Sequence, residues 1–167
     1  MRKEKGEKLL VSNQDTFRLD EGVAIGVNYL VCGDEINREL LKPGDIVLNL
    51  DGVYCLTPCT FSEVKEVFDI SPDQMIRLSK LSVIKEEKFV IERLQELFKH
   101  LISEFVGYKT DEWIQIPFAL TQAQIAGLVS STRITVTNNI KKLELDNFLK
   151  RDKRKILINS KFINSSI

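Results

Sequence analysis

The chain has 167 residues, 43% of them hydrophobic and 29% charged, and its formal net charge is +0. This length predicts one domain of ordinary size or two small ones. The hydrophobic content argues against a disordered chain, and with only 4 Pro the composition is not collagen-like. No apolar run approaches the roughly 18 residues of a membrane span, so no membrane partner is expected.

The N-terminal segment and the cysteines indicate a compartment. The charged segment Met1–Lys8 precedes only a short apolar stretch, so we expect no secretory signal here. The 3 Cys are an odd number, at no density typical of a disulfide framework. We therefore expect a cytoplasmic protein with reduced thiols.

Charge is distributed unevenly along the chain. Residues 121–167 carry nine basic and three acidic groups, whereas the preceding residues have an acidic excess. A basic end on an acidic body indicates a polyanionic partner for that end alone. A solvated charged face would give the same count, so the charge sum by itself leaves both interpretations open.

The first region, residues 1–70, alternates short β-like runs with turn residues. Asp51-Gly52 between two apolar runs predicts a two-residue hairpin. Several short strands at such spacing predict a small sandwich or barrel. The predicted strands are Lys8–Ser12, Val23–Cys32, Asp45–Leu50, Val53–Leu56 and Cys59–Val67.

The second region, residues 71–107, has apolar residues at helical spacing. Ser71 is a candidate N-cap with Pro72 at the first helical position, and Gly107 is a candidate stop. The charged run 85–88 predicts a bend between two helices. The length suggests a dimer seam, although two helices packed on their own domain would give the same periodicity. The predicted dimer interface consists of Met75, Leu78, Leu81 and Ile84.

The third region, residues 108–167, has the element order of a winged helix-turn-helix. A short strand at Trp113–Ile116 precedes a capping box, in which Thr121 caps a helix and Gln124 reaches back. A turn at Ser130-Ser131 leads to a second helix from about Thr132. A charged hairpin follows, and the side chains expected to face inward are Ile125, Leu128, Val129, Val136, Ile140 and Leu143.

The run Leu120–Thr137 resembles the DNA-reading motif of the Crp–Fnr transcription regulators. Within it, Ser131–Thr137, together with Lys155–Ile158 in the wing, is most similar to the cyanobacterial nitrogen-control branch. The resemblance implies an α+β chain with a reduced β-roll-like domain at 1–70 and dimerising connector helices at 71–107. It also implies a winged helix-turn-helix DNA-binding domain at 108–167.

Several residues depart from the family pattern. The segment Lys42–Asp45 resembles the β-roll turn of the family, but the phosphate-binding cassette with its Arg is missing, and Gly44–Val47 is expected to lack a basic partner. We therefore expect no cyclic nucleotide and no other cofactor. Asn138 stands where relatives commonly have a base-reading Arg. Asn139 occupies a usually apolar position, and Ser130 replaces the usual turn Gly.

The expected partners are double-stranded DNA and a second copy of the chain; RNA polymerase and an unidentified regulatory protein are further candidates. Arg133, in the first turn of the second helix, is the candidate for guanine, whereas Asn138 either binds adenine or is solvated. The wing is expected to flank the phosphate backbone. The candidate DNA-binding residues are Thr121, Gln122, Thr132, Arg133, Ile134, Thr135, Thr137, Asn138, Lys141, Arg151, Lys153, Arg154 and Lys155. The alternative is a winged-helix module that contacts another regulator without reading DNA.

Catalysis is not expected. His100 is the single His, and no nucleophile lies at a familiar spacing from it, so a partly exposed helical side chain is the simpler interpretation. Cys55 and Cys59 are too few for a structural zinc site and are interpreted as core residues. No metal site is predicted.

Overall fold

In the computed structural model the chain divides into two compact units, Met1–Leu81 and Ser82–Ile167. The fold is mixed α+β, with β-sheets in the first unit and a helix-turn-helix in the second. The structure describes residues 1–12, 16–29, 35–47, 50–64, 70–105 and 107–163, with only the backbone of residues 35–38.

The first unit contains two four-stranded antiparallel sheets, ordered β1-β8-β3-β6 and β2-β7-β4-β5. Both contribute side chains to one apolar core that includes Leu19, Val47, Val53 and Phe61. The strands are β1 (Arg2–Lys3), β2 (Lys8–Leu10), β3 (Phe17–Glu21), β4 (Ala24–Tyr29), β5 (Glu35–Leu41), β6 (Ile46–Val47), β7 (Gly52–Cys55) and β8 (Cys59–Glu63).

The predicted Asp51-Gly52 hairpin is wrong. β6 pairs with β3 in one sheet, and β7 pairs with β2 and β4 in the other. Gly52 is a strand residue opposite Leu10 and Val27. The Asp51 carboxylate accepts a hydrogen bond from the Tyr29 amide at 2.7 Å, so this segment is fixed to β4 instead of closing a turn.

The other strand predictions are partly confirmed. The described parts of the five predicted segments overlap β2, β4, β6, β7 and β8, whereas β1, β3 and β5 were not predicted. The predicted ends at residues 30–32, 48–49 and 65–67 lie outside the described residues, as does Cys32. Cys55 and Cys59 are buried in the core, as predicted. A hydrogen bond between these thiols raises the pKa of Cys55 and lowers that of Cys59.

Helix α1 (Pro72–Glu86) begins as predicted, because Ser71 Oγ accepts a hydrogen bond from the Gln74 amide at 3.1 Å. The four residues of the predicted dimer interface differ in exposure, and Leu78 is half-buried. Leu81 and Ile84 are buried within the single chain, whereas Met75 is 54% exposed. The bend predicted at 85–88 is confirmed, since α1 ends at Glu86 and the next helix begins at Val90.

Polar side chains fix α1 to the sheet within the first unit. The Gln74 amide group donates to the Ile46 carbonyl at 2.8 Å and accepts from the Ile46 amide at 3.0 Å. Arg77 donates to Asp45 and to Asp73. Gln74, Arg77, Asp45 and nearby Glu39 are all buried. The segment Gly44–Val47 was expected to lack a basic partner. It has one in Arg77, which lies 32 residues after Asp45.

The second unit contains helices around a small sheet, ordered β10-β11-β9. Its elements are α2 (Val90–Glu104), β9 (Trp113–Gln115), α3 (Gln122–Leu128), α4 (Arg133–Leu145), β10 (Leu149–Asp152), β11 (Lys155–Asn159) and a 3₁₀ helix at Ser160–Phe162. Helix α2 packs against α4 and contributes Leu94, Leu97, Phe98 and Leu101 to the buried core.

Two predictions about α2 need correction. His100 is buried instead of partly exposed. The helix ends at Glu104, three residues before Gly107. A Cβ on Gly107 would lie 1.8 Å from the Gln115 carbonyl oxygen, so this glycine permits a close backbone approach. Among the described residues, no helix has the length and apolarity needed to cross a lipid bilayer.

Candidate nucleic-acid interface

The helix-turn-helix begins with the predicted capping box. Thr121 Oγ1 accepts a hydrogen bond from the Gln124 amide at 3.1 Å, and Gln124 Oε1 accepts from the Thr121 amide at 2.9 Å. These reciprocal bonds satisfy two backbone donors that the first turn of α3 would otherwise leave open. The other end of α3 is buried through Ile125, Leu128 and Val129, as predicted.

The turn between α3 and α4 contains a strained residue. Ser130 has φ +50°, a left-handed conformation that favours glycine. The following amide, of Ser131, donates to the Ala126 carbonyl at 2.9 Å and closes the turn. Ser130 therefore adopts the backbone shape that the family's turn Gly would take, at a conformational cost.

Helix α4 is oriented by its buried face. Thr132 caps the helix and accepts from the Thr135 amide at 3.2 Å. Val136, Ile140 and Leu143 are buried at 0–1% exposure, as predicted. Because a helix turns 100° per residue, the positions opposite this buried face point away from the core. The exposed residues of α4 include Arg133, Ile134, Asn138 and Lys141, and Ile134 is 74% exposed.

Several candidate DNA-binding side chains bond within the motif. Thr137 Oγ1 lies 2.6 Å from Gln122 Oε1, which joins α4 to the first turn of α3. The hydroxyls of Thr132 and Thr135 are 2.9 Å apart. Asn139, at the usually apolar position, donates to the Thr135 carbonyl at 2.9 Å. The Thr137–Gln122 bond joins the two helices, whereas the other two contacts lie within α4 and its cap. The polar groups of these residues are therefore partly occupied.

The wing is an antiparallel hairpin of β10 and β11 whose turn is basic. Lys153 has φ +55° and occupies the turn, with Arg154 beside it and Lys155 opening β11. All three are exposed, and none forms an ion pair with any residue that the structure describes. Positive charge is therefore available to solvent at the hairpin tip.

Arg151 differs from the other basic residues of the wing. Its Nε and Nη2 each lie 2.7 Å from a carboxylate oxygen of Glu144 on α4. This bidentate bond raises the pKa of Arg151. Arg151 therefore connects the wing to the end of α4, and its binding to DNA stays a prediction.

One contact of the motif was missed from the sequence. Arg93 of α2 donates to the Val129 carbonyl at 3.2 Å and to the Ser130 carbonyl at 3.3 Å. The residues lie 36 and 37 positions apart, so no local pattern could indicate the pair. Lys150 also stacks over the Trp113 ring at 4.1 Å, which joins β10 to β9 across the intervening strand β11.

The second unit thus brings the candidate residues into two groups. The exposed side chains Arg133, Ile134, Asn138 and Lys141 lie on α4. The basic group Lys153, Arg154 and Lys155 lies at the wing tip. Among the described residues, no cluster of three His, Cys, Asp or Glu side chains could hold a metal ion.

Residues 89–161 match the Crp-like helix-turn-helix domain. A CRP-family transcriptional regulator from Thermus thermophilus has a similar structure, with a TM-score of 0.76 at 14% identity, covering 98% of this chain and 96% of that one. A second regulator from that organism, of the CRP/FNR family, gives 0.74 at 13% identity, with 98% and 97% covered.

A third similar structure is that of the c-di-GMP-responsive global regulator CLP of Xanthomonas campestris. It gives a TM-score of 0.71 at 13% identity, covering 95% of this chain and 92% of that one. No curated protein sequence matches the chain significantly. The chain therefore carries a Crp-like helix-turn-helix domain and has the fold of CRP/FNR regulators.

Proposed function

We propose that this chain, with its Crp-like helix-turn-helix domain on a CRP/FNR fold, regulates transcription by sequence-specific binding to double-stranded DNA. The observation that carries the proposal is the exposed face of α4, which begins with Arg133 and includes Ile134 and Asn138. In helix-turn-helix proteins the second helix enters the major groove with its N-terminal residues at the base edges.

The proposed base contacts follow from side-chain chemistry. Arg133 has five N–H donors and forms no ion pair with a described residue. It can therefore form a bidentate hydrogen bond to O6 and N7 of guanine. Ile134, which is 74% exposed, offers an apolar contact to a thymine methyl group. Asn138, one helical turn further, has the donor and acceptor that adenine requires.

The proposed phosphate contacts come from the wing and the helix ends. Lys153, Arg154 and Lys155 supply charge beside the reading helix, and Lys141 adds a cation on α4. The capped N-terminus of α3 at Thr121 can receive a phosphate, because backbone N–H groups point outward there. These contacts position the domain without specifying sequence.

The proposed working form is a homodimer formed along α1. Three exposed apolar residues, Met75, Ile76 and Val83, lie on one face of this helix at 54–60% exposure. The proposed seam keeps Met75 and the half-buried Leu78 and adds Ile76 and Val83, since Leu81 and Ile84 are buried within the chain. Two reading helices in such a dimer would lie about one DNA turn, roughly 34 Å, apart.

We also propose that the protein is cytoplasmic and that it does not bind a cyclic nucleotide. In support, Arg77 of the first unit pairs with both Asp45 and Asp73, so two carboxylates already neutralise its charge. Control by abundance or by an unidentified regulatory protein fits this arrangement, with RNA polymerase as a further partner. The proposal also includes membership of the nitrogen-control branch of the Crp–Fnr regulators, which is supported by the sequence of α4.

The test is selection of duplexes from a random library by the full chain, followed by affinity measurement on the selected and the random DNA. The proposal predicts an enriched palindromic sequence, bound at least about 10³-fold more tightly than random DNA. Failure to enrich any sequence, together with no measurable affinity for DNA, would favour the protein-contact alternative.

A further inference from the structure

Arg93 contacts the carboxyl-terminal ends of two helices at once. Its Nε donates to the Glu87 carbonyl at 2.7 Å, just after the last residue of α1. Its Nη1 donates to the carbonyls of Val129 and Ser130, at the end of α3, at 3.2 and 3.3 Å. The guanidinium therefore joins the α1–α2 junction to the turn that precedes α4.

The three acceptors need such a partner. The last carbonyls of a helix have no intrahelical donor, and the helix dipole places negative charge at the same end. A guanidinium satisfies both requirements, because it supplies several N–H groups and a positive charge. Without Arg93, the carbonyls of Glu87, Val129 and Ser130 would rely on water.

The turn that Arg93 contacts is also strained. Ser130 has φ +50°, which costs energy for a residue with a Cβ atom. Thr132, two residues later, caps α4 and so fixes the direction in which Arg133 leaves the turn. A contact that stabilises the left-handed Ser130 therefore also fixes where the reading helix begins.

We infer that Arg93 is a positioning residue that couples the α1–α2 junction to DNA reading, an inference that rests on the proposed function. The junction at residues 87–89 connects α1 to α2. Through Arg93, a displacement of the Glu87 carbonyl releases the turn at Ser130 and reorients α4.

The first test needs no DNA. Peptide-resolved hydrogen exchange on the full chain compares the wild type with Arg93→Gln and Arg93→Lys. In Arg93→Gln, exchange should rise about tenfold both in the turn, at Ser130 and Ser131, and at the junction around Glu87, since charge-assisted bonds are removed at both ends. Lys99→Gln on the same helix, which breaks a pair with Glu96, should leave both peptides unchanged.

The Lys variant and a second substitution keep the test informative. Arg93→Lys retains the positive charge but loses the planar guanidinium, whose N–H groups reach several acceptors at once. The hydrogen-exchange rates of this variant should therefore lie between those of the wild type and of Arg93→Gln. Ser130→Gly adopts the left-handed turn without strain. Added to Arg93→Gln, it should return the turn peptide towards wild-type exchange while the junction peptide stays fast.

The second test separates this inference from the proposed function. With all variants verified as folded, Arg93→Gln should lose about tenfold affinity for the selected duplex and less than about twofold for random DNA, because the wing contacts remain. Ser130→Gly should restore the preference for the selected duplex. Unchanged exchange in either peptide overturns the role of Arg93, whatever the DNA result. Normal exchange effects with no DNA binding by the wild type overturn the proposed function instead.

Discussion

Arg77 and Asp45 form an ion pair that is almost completely shielded from water, with side-chain exposures of 4% and 3%. Arg77 lies on α1 and Asp45 precedes β6, so the pair fixes the helix to the β-sheet within the first unit. Arg77 also bonds Asp73, which lies one turn earlier on α1, and Asp73 in turn pairs with Lys42 at 2.9 Å. The first unit is therefore held by charge as well as by its apolar core.

Removing one partner of this pair should destabilise the first unit strongly. Arg77→Met leaves the Asp45 carboxylate buried without its cation, which typically costs about 3–5 kcal/mol. The matched control is Arg18→Met, which breaks a 3.0 Å pair with Asp20 that is half-exposed and should cost about 0–1 kcal/mol. Denaturant unfolding followed by circular dichroism measures both. A destabilisation below about 1 kcal/mol in Arg77→Met would mean that the pair does not anchor α1.

The stability of the first unit should depend on pH through Glu39. Burial, with the negative charge of Asp45 adding to it, raises the pKa of Glu39 from 4.5 to about 7. A carboxyl whose pKa is raised by folding stabilises the folded state fully below its unfolded pKa. This stabilisation is lost as pH rises from about 4.5 to about 7, and amounts to about 3 kcal/mol.

The variant Glu39→Gln isolates this effect, since Gln resembles the protonated carboxyl at every pH. Its unfolding free energy should be similar to that of the wild type at about pH 5 and higher than that of the wild type at about pH 8. Calorimetry of both full-length proteins at these two pH values measures the unfolding free energies that this prediction compares. Parallel pH profiles for the two proteins would exclude Glu39 as the titrating group.

The dimer seam should respond to charge on the exposed face of α1. Ile76→Glu places a carboxylate between two other apolar side chains of this face, Met75 and Val83, and should yield monomers, because a buried unpaired charge is costly. Ile76→Val keeps an apolar side chain and should remain dimeric. Sedimentation equilibrium at tens of micromolar distinguishes the two. A monomeric wild type at that concentration would contradict the seam.

Local sequence signals predicted where α1 and α3 begin. Ser71 and the Thr121–Gln124 box act through residues three positions apart, so the pattern contains the whole interaction. Inward-facing residues such as Val136 and Ile140 were predictable for the same reason, because helical periodicity fixes their face.

Long-range partners could not be predicted in this way. Asp51-Gly52 has a local preference for a hairpin, but strand pairing is decided by which side chains fill the shared core, and β7 pairs with β2 and β4. Arg77 lies 32 residues from its partner Asp45, and Val129 lies 36 residues from Arg93. The pair of Arg151 with Glu144, seven residues before it, was likewise not predicted.

Base reading should depend on Arg133. Arg133→Ala removes a bidentate donor from the first turn of α4, and should cost about 1–3 kcal/mol on the selected duplex. Affinity for random DNA should change much less, because base contacts contribute little there. Competition binding with duplexes altered at single positions should show relaxed preference at one base pair per half-site. An equal reduction on both DNAs would reassign Arg133 to phosphate.

The most direct test of the central claim is the salt dependence of DNA binding. Lys153→Ala combined with Lys155→Ala removes two exposed cations from the wing, and Arg2→Ala combined with Lys5→Ala removes two exposed cations from the first unit. Fluorescence anisotropy against log salt should give a steep slope for the wild type and for the control. In the wing variant, the slope should flatten by roughly one unit for each lysine–phosphate pair that the substitutions remove, on selected and random duplexes alike. A wild type with no salt-dependent affinity for DNA, or a wing variant with an unchanged slope, would contradict the account.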